Sequence, residues 1–406
     1  MIRLRHGCLV VGVLVAVLAV GGPAPPVAAD QIGPHDDVLV IPPSNHRAAS
    51  TAAATPAPAG TPATIEVMVV HPTAAAERAG GTAGLHDRIG RAVADADGIF
   101  ARSGVPVRVG LAAIHAVGTP DGQPAAAALR SLQARGDGSL DEVHDLRRTA
   151  RADVVALWMD LAPGICGMAY LMGPNDIHLQ TAQYAFMVLD DSAACQANHV
   201  LAHELGHLLG AQHDRDHAHA AAPPAFPYAY AHLHGNGPVR FRTVMSYPGW
   251  CPEPCPTVAV YSTPHRHHHG HPVGTATADN ARALTNTAQV VARYGEHVAN
   301  EVVAVATTQG GLYTVTATGR VVAHGTGPQL GDASHLTLRS GIVAIAATPT
   351  GDGYWLAAAD GGVFTYGNAT FHGSLAGDGS RVSGIAVDSA GRYVLVTANG
   401  HVSSQG

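Results

Sequence analysis

The stretch from His203 to Asp214, HELGHLLGAQHD, decides the fold of this 406-residue chain. His203 and His207 are four residues apart, so on a helix their imidazoles project from one face and reach the same point outside it. Gly210 follows where a helix that stops and turns back favours a residue tolerant of positive φ. That turn is expected to place His213 close to His203 and His207. We expect these three histidines to bind one metal ion.

Three imidazoles with an open fourth position are typical of a catalytic zinc site, whereas a structural site closes the fourth position with protein, usually cysteine. Glu204 lies next to His203 in the chain, where its carboxylate can address a metal-bound water without joining the coordination shell. The pattern therefore predicts one catalytic Zn²⁺ held by His203, His207 and His213, with Glu204 as general base. Calcium binding is not decided by the sequence.

The stretch resembles the motif HExxHxxGxxH of the metzincin metallopeptidases at every defined position, and Asp214 is typical of their reprolysin-like branch. The resemblance implies a methionine turn beneath the zinc, which VMSY supplies at Met245. It also implies that Asp214 braces the active-site loop, with a solvated carboxylate as the alternative. Tyr247 is a candidate oxyanion stabiliser, and the alternative is a packed tyrosine with a hydrogen-bonded hydroxyl.

Residues 64–298 resemble more narrowly the peptidyl-Asp metalloendopeptidases, secreted bacterial zinc enzymes that cut on the amino side of aspartate. The segments that carry the likeness are DEVHDLRRTARADVVALWMD (141–160), GICGMAYL (164–171), AFMVLD (185–190), FRTVMSY (241–247) and ATADNARALTNTA (276–288). A pocket that binds aspartate needs a cation, ideally the fork of an arginine. Arg242 is the first candidate and Arg240 the second, and a solvated arginine is the alternative for both.

The N-terminus has the pattern of an exported protein. Arg3 and Arg5 precede an apolar run from Gly7 to Val20, and small residues follow up to Ala29, which predicts a signal peptide over residues 1–29. The run is short for a bilayer span, so we expect a secreted protein with no membrane span after signal removal. The net charge of −7 does not favour nucleic acid or an anionic membrane as partner. The resemblance implies protein or peptide substrates.

Four cysteines remain after the signal is removed, an even number that predicts two disulfides in an exported protein. Four cysteines allow three pairings, and we choose Cys166–Cys195 and Cys251–Cys255 because of their positions around the motif. Residues 30–63 are rich in Ala, Pro and Thr and are predicted to be a linker or short pro-segment. That segment contains no cysteine, so a cysteine switch is not available and any latency must have another source.

Hydrophobic patterns predict alternating strands and helices, an α/β (α+β) domain. The resemblance implies that residues 64–298 form a metzincin-type zincin domain with a mixed sheet and a zinc-binding active-site helix. Ile65–Val70 and Val154–Met159 are predicted strands, and Leu85–Arg102 is a predicted helix with one buried face. Ala185–Asp190 is a predicted edge strand for an extended substrate. Asn198 is the predicted N-cap of the zinc helix.

Residues 299–406 contain an internal repeat. VVAVA at 302, IVAIA at 342 and VSGIA at 382 recur about every forty residues, in under three copies. Each copy predicts several short strands with glycine turns, so the region resembles a partial set of β-propeller blades. The repeats are a candidate surface for binding an unknown partner.

Two further interpretations are open at this point. The histidine-rich stretch His265–His271 is either a solvated loop, which we favour, or a second metal site. The chain as a whole is predicted to be a secreted zinc endopeptidase. The alternatives are a broad-specificity metzincin protease, or a surface adhesion protein with a degenerate zincin domain.

Overall fold

The computed structural model describes residues 37–42, 62–218, 221–235, 237–247, 251 and 254–404. The predicted signal peptide and most of the predicted linker lie outside these residues, so cleavage after Ala29 stays a prediction. None of the helices in the described ranges is long and apolar enough to cross a membrane.

A six-stranded mixed sheet organises the first part of the chain. Its strands are β1 (Val38–Val40), β2 (Ala63–His71), β3 (Val107–Ala116), β4 (Val154–Met159), β5 (Gly167–Leu171) and β6 (Phe186–Asp190). They lie in the order β1-β5-β6-β4-β2-β3. Only the pairing of β5 with β6 is antiparallel among these strands. The predicted mixed sheet is therefore confirmed.

Burial explains where the strands lie. All six residues of β4 are buried, as a continuous apolar run requires in the middle of a parallel sheet covered on both faces. The prediction that Ala185–Asp190 forms an edge strand is wrong, because β6 lies between β5 and β4. All residues of β4, β5 and β6 are buried, so the apolar run in β6 indicates a buried strand and does not indicate which strands flank it. β5 pairs with β6 on one side and with the short strand β1 on the other, so β1 is the edge strand on this side.

Helices cover the sheet, and their bounds are α1 (Thr73–Arg78), α2 (Thr82–Ser103), α3 (Ala125–Gln133), α4 (Glu142–Ala150), α5 (Ala193–Ala197), α6 (Val200–Leu208), α7 (Asn280–Val291) and α8 (Tyr294–Ala299). A 3₁₀ helix spans Leu179–Tyr184. The predicted apolar face of α2 is buried at Ile89, Val93, Ala96 and Phe100. This helix ends at Gly104, whose φ of 77° suits glycine.

The zinc-motif helix α6 is buried along its whole length. Asn198 does not cap it: its side-chain amide donates to the Ala194 carbonyl 2.9 Å away, and it ends α5 instead. His199 is the residue that precedes α6, with φ at 60°. The predicted N-cap is wrong because the short helix α5 lies just before α6. The Asn198 side chain forms its hydrogen bond with α5 and not with the start of α6.

Short strands follow α6, namely β7 (Leu233–His234), β8 (Phe241–Thr243), β9 (Thr257–Val258), β10 (His267–His268) and β11 (His271–Pro272). The first three form one small sheet, and β10 pairs with β11 in a hairpin. The histidine-rich stretch is thus a paired hairpin rather than an irregular loop. Among the described residues, the only group of three or more metal-ligating side chains lies elsewhere.

The C-terminal region consists of three similar antiparallel sheets. Their strands are β12 (Val302–Thr308), β13 (Gly311–Thr316) and β14 (Val321–Gly325), then β15 (Ile342–Ala347), β16 (Gly353–Ala358) and β17 (Val363–Gly367), then β18 (Val382–Val387), β19 (Tyr393–Thr397) and β20 (Val402–Ser404). Each first strand has an irregularity after its first pair. Tyr313, Tyr354 and Tyr393 are buried at equivalent places. The β-rich repeat is confirmed, whereas its likeness to propeller blades and its binding of a partner stay predictions.

Candidate metal centre

Helix α6 and the turn after it bring three histidines together. His203 and His207 lie one helical turn apart, and both are buried. Gly210 ends this element with φ at 87°, and a Cβ there would lie 2.3 Å from the Cβ of Ala225. Only glycine fits both the backbone conformation and the space. The chain then turns back and places His213 beside the first two rings.

The three Nε2 atoms converge. Those of His203 and His213 are 3.3 Å apart, those of His203 and His207 3.2 Å, and those of His207 and His213 3.1 Å. A tetrahedral zinc ion about 2.0–2.1 Å from each nitrogen separates its ligand nitrogens by about 3.3 Å. The triangle therefore has the size that zinc requires.

Hydrogen bonds on the far side of two rings fix their orientation. His203 Nδ1 lies 2.9 Å from the Val244 carbonyl, and His207 Nδ1 lies 2.9 Å from the Ala211 carbonyl. Because a carbonyl only accepts, each Nδ1 carries the proton and each Nε2 turns its lone pair to the common centre. Burial lowers the pKa of His207 to about 4, which keeps this imidazole neutral at neutral pH. These rings are arranged as metal ligands.

A fourth side chain lies against this triangle. The Asp37 carboxylate is 2.9 Å from His203 Nε2, 2.8 Å from His213 Nε2 and 3.3 Å from His207 Nε2. These four residues are the buried group of the described chain that could hold a metal ion. The prediction of an open fourth position is therefore wrong. Sequence reasoning missed Asp37 because it is separated from the motif by more than 160 residues.

The converging atoms need a cation. Within the described chain, Asp37 Oδ1 and Glu204 Oε2 are buried without a hydrogen-bond partner. Burial lowers the pKa of His203, but the Asp37 carboxylate outweighs burial and raises it. A single proton cannot satisfy three Nε2 lone pairs and a carboxylate at once, whereas one metal ion can. The donor set fits zinc.

Glu204 lies beside the triangle but outside it. Its side chain is buried, and burial together with the Asp37 carboxylate raises the pKa of Glu204 well above its usual range. A Cβ at Gly167, the first residue of β5, would lie 2.6 Å from Glu204 Oε1. The backbone of β5 can therefore approach Glu204 only because residue 167 is glycine.

The predicted methionine turn lies under α6. Met245 is fully buried, and its sulfur would be 2.6 Å from a Cβ placed at Gly206, in the turn between the two helical histidines. The neighbouring Val244 supplies the carbonyl that orients His203. Tyr261, which sequence reasoning missed, donates its hydroxyl to the Ala202 carbonyl at 2.6 Å. The floor of the site is thus built from three separate segments.

Asp214 links two parts of the loop around the site. Its carboxylate accepts from the Tyr247 backbone amide at 3.3 Å and lies 2.7 Å from His217 Nδ1. The ring of Tyr247 packs on His213, with ring centroids 4.4 Å apart. These contacts are those of a bracing carboxylate, and they place the Tyr247 ring beside the metal ligands.

A cleft of about 680 Å³ opens in front of the histidines. It is lined by Glu204, Tyr247 and the loop from Asp160 to Gly167, and Arg242 lines it too. Arg242 donates from Nη1 to the Cys255 carbonyl at 2.5 Å. Arg240, the second specificity candidate, is not among the described residues that line the cleft.

One disulfide lines this cleft, and the other lies in a segment that contacts the cleft residue Arg242. Cys166 is bonded to Cys195, and Cys251 is bonded to Cys255, which is the pairing chosen from the sequence. The first bond ties the start of β5 to α5, so it holds one wall of the cleft. The second holds the loop whose carbonyl accepts from Arg242.

Comparison with known families defines the class of this region. Residues 61–250 match the Reprolysin_5 model, described as metallo-peptidase family M12. This region is a reprolysin-like metallopeptidase domain. Zinc is the metal that M12 metallopeptidases use, and the buried group of three histidines and Asp37 could bind it.

The chain is similar to proteins named peptidyl-Asp metalloendopeptidase. It is 32% identical to that of Stenotrophomonas maltophilia (strain R551-3) over 270 residues, which are 66% of this chain and 60% of the relative. It is 33% identical to that of Xanthomonas campestris pv. campestris over 241 residues, which are 59% of this chain and 53% of the relative. The chain thus matches between about half and three fifths of the length of these relatives.

Solved structures resemble the chain only weakly. A chain from a chaperone-substrate complex has a TM-score of 0.45 at 18% identity and covers 58% of this chain and 35% of its own length. Metalloproteinase-II from Bacteroides fragilis has a TM-score of 0.26 at 23% identity and covers 39% of this chain and 45% of its own length. Nothing about the site follows from likenesses at this level.

Proposed function

We propose that this protein is a secreted zinc endopeptidase that cuts peptide bonds on the amino side of aspartate. One observation carries the catalytic part of the proposal. Three Nε2 atoms lie 3.1–3.3 Å from one another, next to a buried Glu204 carboxylate, at the back of a cleft. His203, His207 and His213 would hold the zinc.

When bound, zinc lowers the pKa of water and polarises a carbonyl oxygen. Glu204 accepts a proton from the attacking water and passes it to the leaving amine. Burial raises the pKa of the Glu204 carboxyl group, which favours its uptake of a proton. Tyr247 lies beside His213, where its hydroxyl is a candidate to stabilise the oxyanion.

Strand β5 is the proposed platform for the substrate. It lies between β6 and β1 and contributes to the lining of the cleft, and Gly167 brings its backbone close to Glu204. An extended peptide that adds to this edge would gain main-chain hydrogen bonds along the strand. Its scissile bond would then lie near Glu204.

Arg242 is the proposed reader of aspartate. It lines the same cleft as Glu204 and His203, and its Nη1 is held by the Cys255 carbonyl. A guanidinium at this position can bind a carboxylate group of the substrate. The Cys251–Cys255 disulfide fixes the loop that orients it, so we assign this disulfide a positioning role.

Export is supported by the two disulfides, which persist in oxidising compartments. The site ligands, the base and the domain bounds of 64–298 and 299–406 are part of the proposal. The family match covers residues 61–250, so it begins a few residues before the proposed peptidase domain and ends inside it.

The aspartate preference is tested with paired peptides that differ only in Asp or Ala after the cut. Arg242→Leu should lower cleavage before Asp on the order of 10²-fold, about the energy of one charged hydrogen-bonded pair, and leave cleavage before Ala unchanged. Arg240→Leu is the matched control, because it removes an arginine two residues away. Equal loss on both peptides would contradict the role of Arg242.

The same assay separates the alternatives. Both the wild-type chain and an Asp37→Ala variant are incubated with a peptide library, since Asp37 contacts the histidines. Cleavage with no preference for aspartate would support a broad-specificity protease. No cleavage by either protein would support an adhesion protein with a degenerate zincin domain.

A further inference from the structure

We propose that residues 37–41 are an autoinhibitory segment, in which Asp37 supplies the fourth ligand of the metal and the strand after it covers the substrate edge of the sheet. This inference rests on the proposed zinc site. It gives the chain a source of latency that needs no cysteine, and it assigns a function to part of the predicted pro-segment.

The first observation is the position of the Asp37 carboxylate. Its two oxygens lie 2.8–3.3 Å from all three Nε2 atoms, on the side of the triangle that the cleft opens onto. Two of these rings donate from Nδ1 to backbone carbonyls, so their Nε2 atoms have lone pairs and no proton to give. Lone pairs and a carboxylate repel unless a cation lies among them. A metal ion in the triangle would therefore bind Asp37 as well.

The second observation is the strand that follows. β1 pairs in parallel with β5, Val38 opposite Ala169 and Val40 opposite Leu171. The Ala169 amide also donates to the Asp37 carbonyl at 3.0 Å. These bonds use the β5 edge that an extended substrate would need. A peptide cannot add to this edge until β1 has left it.

The third observation is that the segment is anchored by its side chains. Val38 packs with Leu171 and Ala222 in a small buried cluster. Leu39 and Ile41 are also buried, and Val40 is the residue of this run that faces outward. The segment is therefore packed as a built element of the fold, with its carboxylate aimed at the metal ligands.

These observations together predict competition. The segment and the substrate would use the same fourth coordination position of the metal and the same edge of β5. The segment is also part of the chain, so it is tethered next to the site. Tethering raises the effective concentration of the segment to about the millimolar range, so it competes with a peptide substrate supplied below that concentration. The intact chain should therefore hydrolyse peptides slowly, and removal of Asp37 from the histidines should release the activity.

The test uses the full chain with Co²⁺ in place of zinc, because the visible spectrum of Co²⁺ changes with its ligands. Asp37→Ala should change the Co²⁺ spectrum and raise hydrolysis of an Asp-containing peptide on the order of tenfold or more. Asp160→Asn is the matched control, since it removes a carboxylate of the same cleft without changing the three histidines. It should leave the spectrum as in the wild type.

A second variant separates the ligand from the strand. Val38→Asp puts a charge into the buried cluster and keeps Asp37, so it should weaken β1 and also raise hydrolysis. The proposal is overturned if Asp37→Ala leaves both the Co²⁺ spectrum and the rate of the wild type unchanged. If the wild type and every variant bind no metal, the zinc site itself is wrong, and the role of Asp37 falls with it.

Discussion

The peptidase region and the repeat region of this chain are built in opposite ways. In the repeats, neighbouring strands pair in sequence order, and each sheet is complete within about forty residues. In the peptidase region, the site joins Asp37, the motif after residue 203 and the turn at Met245. Pairing between neighbouring strands gives the repeats a regular structure. In the peptidase region, packing between distant segments brings polar side chains together in a buried centre, which the repeats do not have.

The polar groups also differ. Each repeat buries one tyrosine whose hydroxyl donates to a carbonyl: Tyr313 to Pro328, Tyr354 to Gly331 and Tyr393 to Gly373. These polar groups are satisfied, as expected in a purely structural element. In the peptidase region, Glu204 Oε2 and Asp37 Oδ1 have no such partner in the described chain. These two unsatisfied oxygens lie at the metal centre, where a bound cation would satisfy them.

The largest effect is expected from the base. Glu204→Gln keeps the size of the side chain and removes its ability to accept a proton, so hydrolysis should fall roughly 10²- to 10⁴-fold. Zinc content and thermal stability should stay close to those of the parent protein. Steady-state kinetics in the Asp37→Ala background measures this loss. Full activity of Glu204→Gln would exclude the assigned role.

In the repeats, a large effect is expected on stability and none on zinc binding. Trp355 is buried between the second and third sheets, and its indole donates to the Thr370 carbonyl at 2.7 Å. Trp355→Ala should lower the free energy of unfolding by about 3–5 kcal/mol, and Trp355→Phe by less. Both variants should bind zinc normally under native conditions, as metal analysis can show. Loss of zinc in Trp355→Ala would mean that the repeats support the site directly.

Acid should affect the peptidase region through His144. Burial lowers the pKa of His144 to about 3, with Arg135 as the next cause. The unfolded chain takes up this proton near pH 6.5, so the stability that His144 contributes is present above pH 6.5 and is lost as the pH falls towards 3. At pH 4 the loss should be on the order of 3 kcal/mol.

His144→Gln provides the control, because glutamine does not titrate and can still donate to the Ala134 carbonyl that His144 contacts. Urea unfolding of both proteins at pH 7 and pH 4 gives the difference. Asp153, whose pKa burial raises to about 6, has the opposite pH dependence but is present in both proteins. Equal acid sensitivity of the two proteins would contradict a neutral buried His144.

The smallest effect compares one glycine from each region. Gly210 and Gly400 have φ values of 87° and 83°, so alanine is strained at both, by roughly 1–2 kcal/mol. Around Gly400 no atom lies within 4 Å of an added Cβ, whereas Ala225 lies 2.3 Å from one at Gly210. Gly210→Ala should therefore lose more stability than Gly400→Ala, and should also lower zinc affinity. Equal losses and unchanged zinc affinity would show that the turn does not position His213.

The sequence predicted what local pattern determines. The periodicity of α2, the continuous apolar run of β4 and the forty-residue repeat all correspond to elements of the structure. The spacing of the three histidines also predicted that their imidazole rings converge, because a helix and a glycine turn fix the positions of these residues. Each of these features depends on residues within one element or one turn.

Features that depend on tertiary position were wrong or missed. The order of β5 and β6 in the sheet depends on tertiary pairing, and both strands are buried along their whole length. Asp37 lies in a segment of low sequence periodicity, and the only local signal was an aspartate before the apolar run Val38–Ile41. A search for an acidic residue next to a β-prone run could have found it.

Metal analysis of the purified full chain tests the central claim most directly. After dialysis to remove ions that the histidine-rich hairpin holds weakly, the wild type should retain one zinc per chain. His217→Ala changes a neighbouring histidine outside the triangle and should retain it as well, whereas His213→Ala should retain about a tenth or less. A wild-type chain without zinc, or a His213→Ala variant with its full complement, would contradict the account.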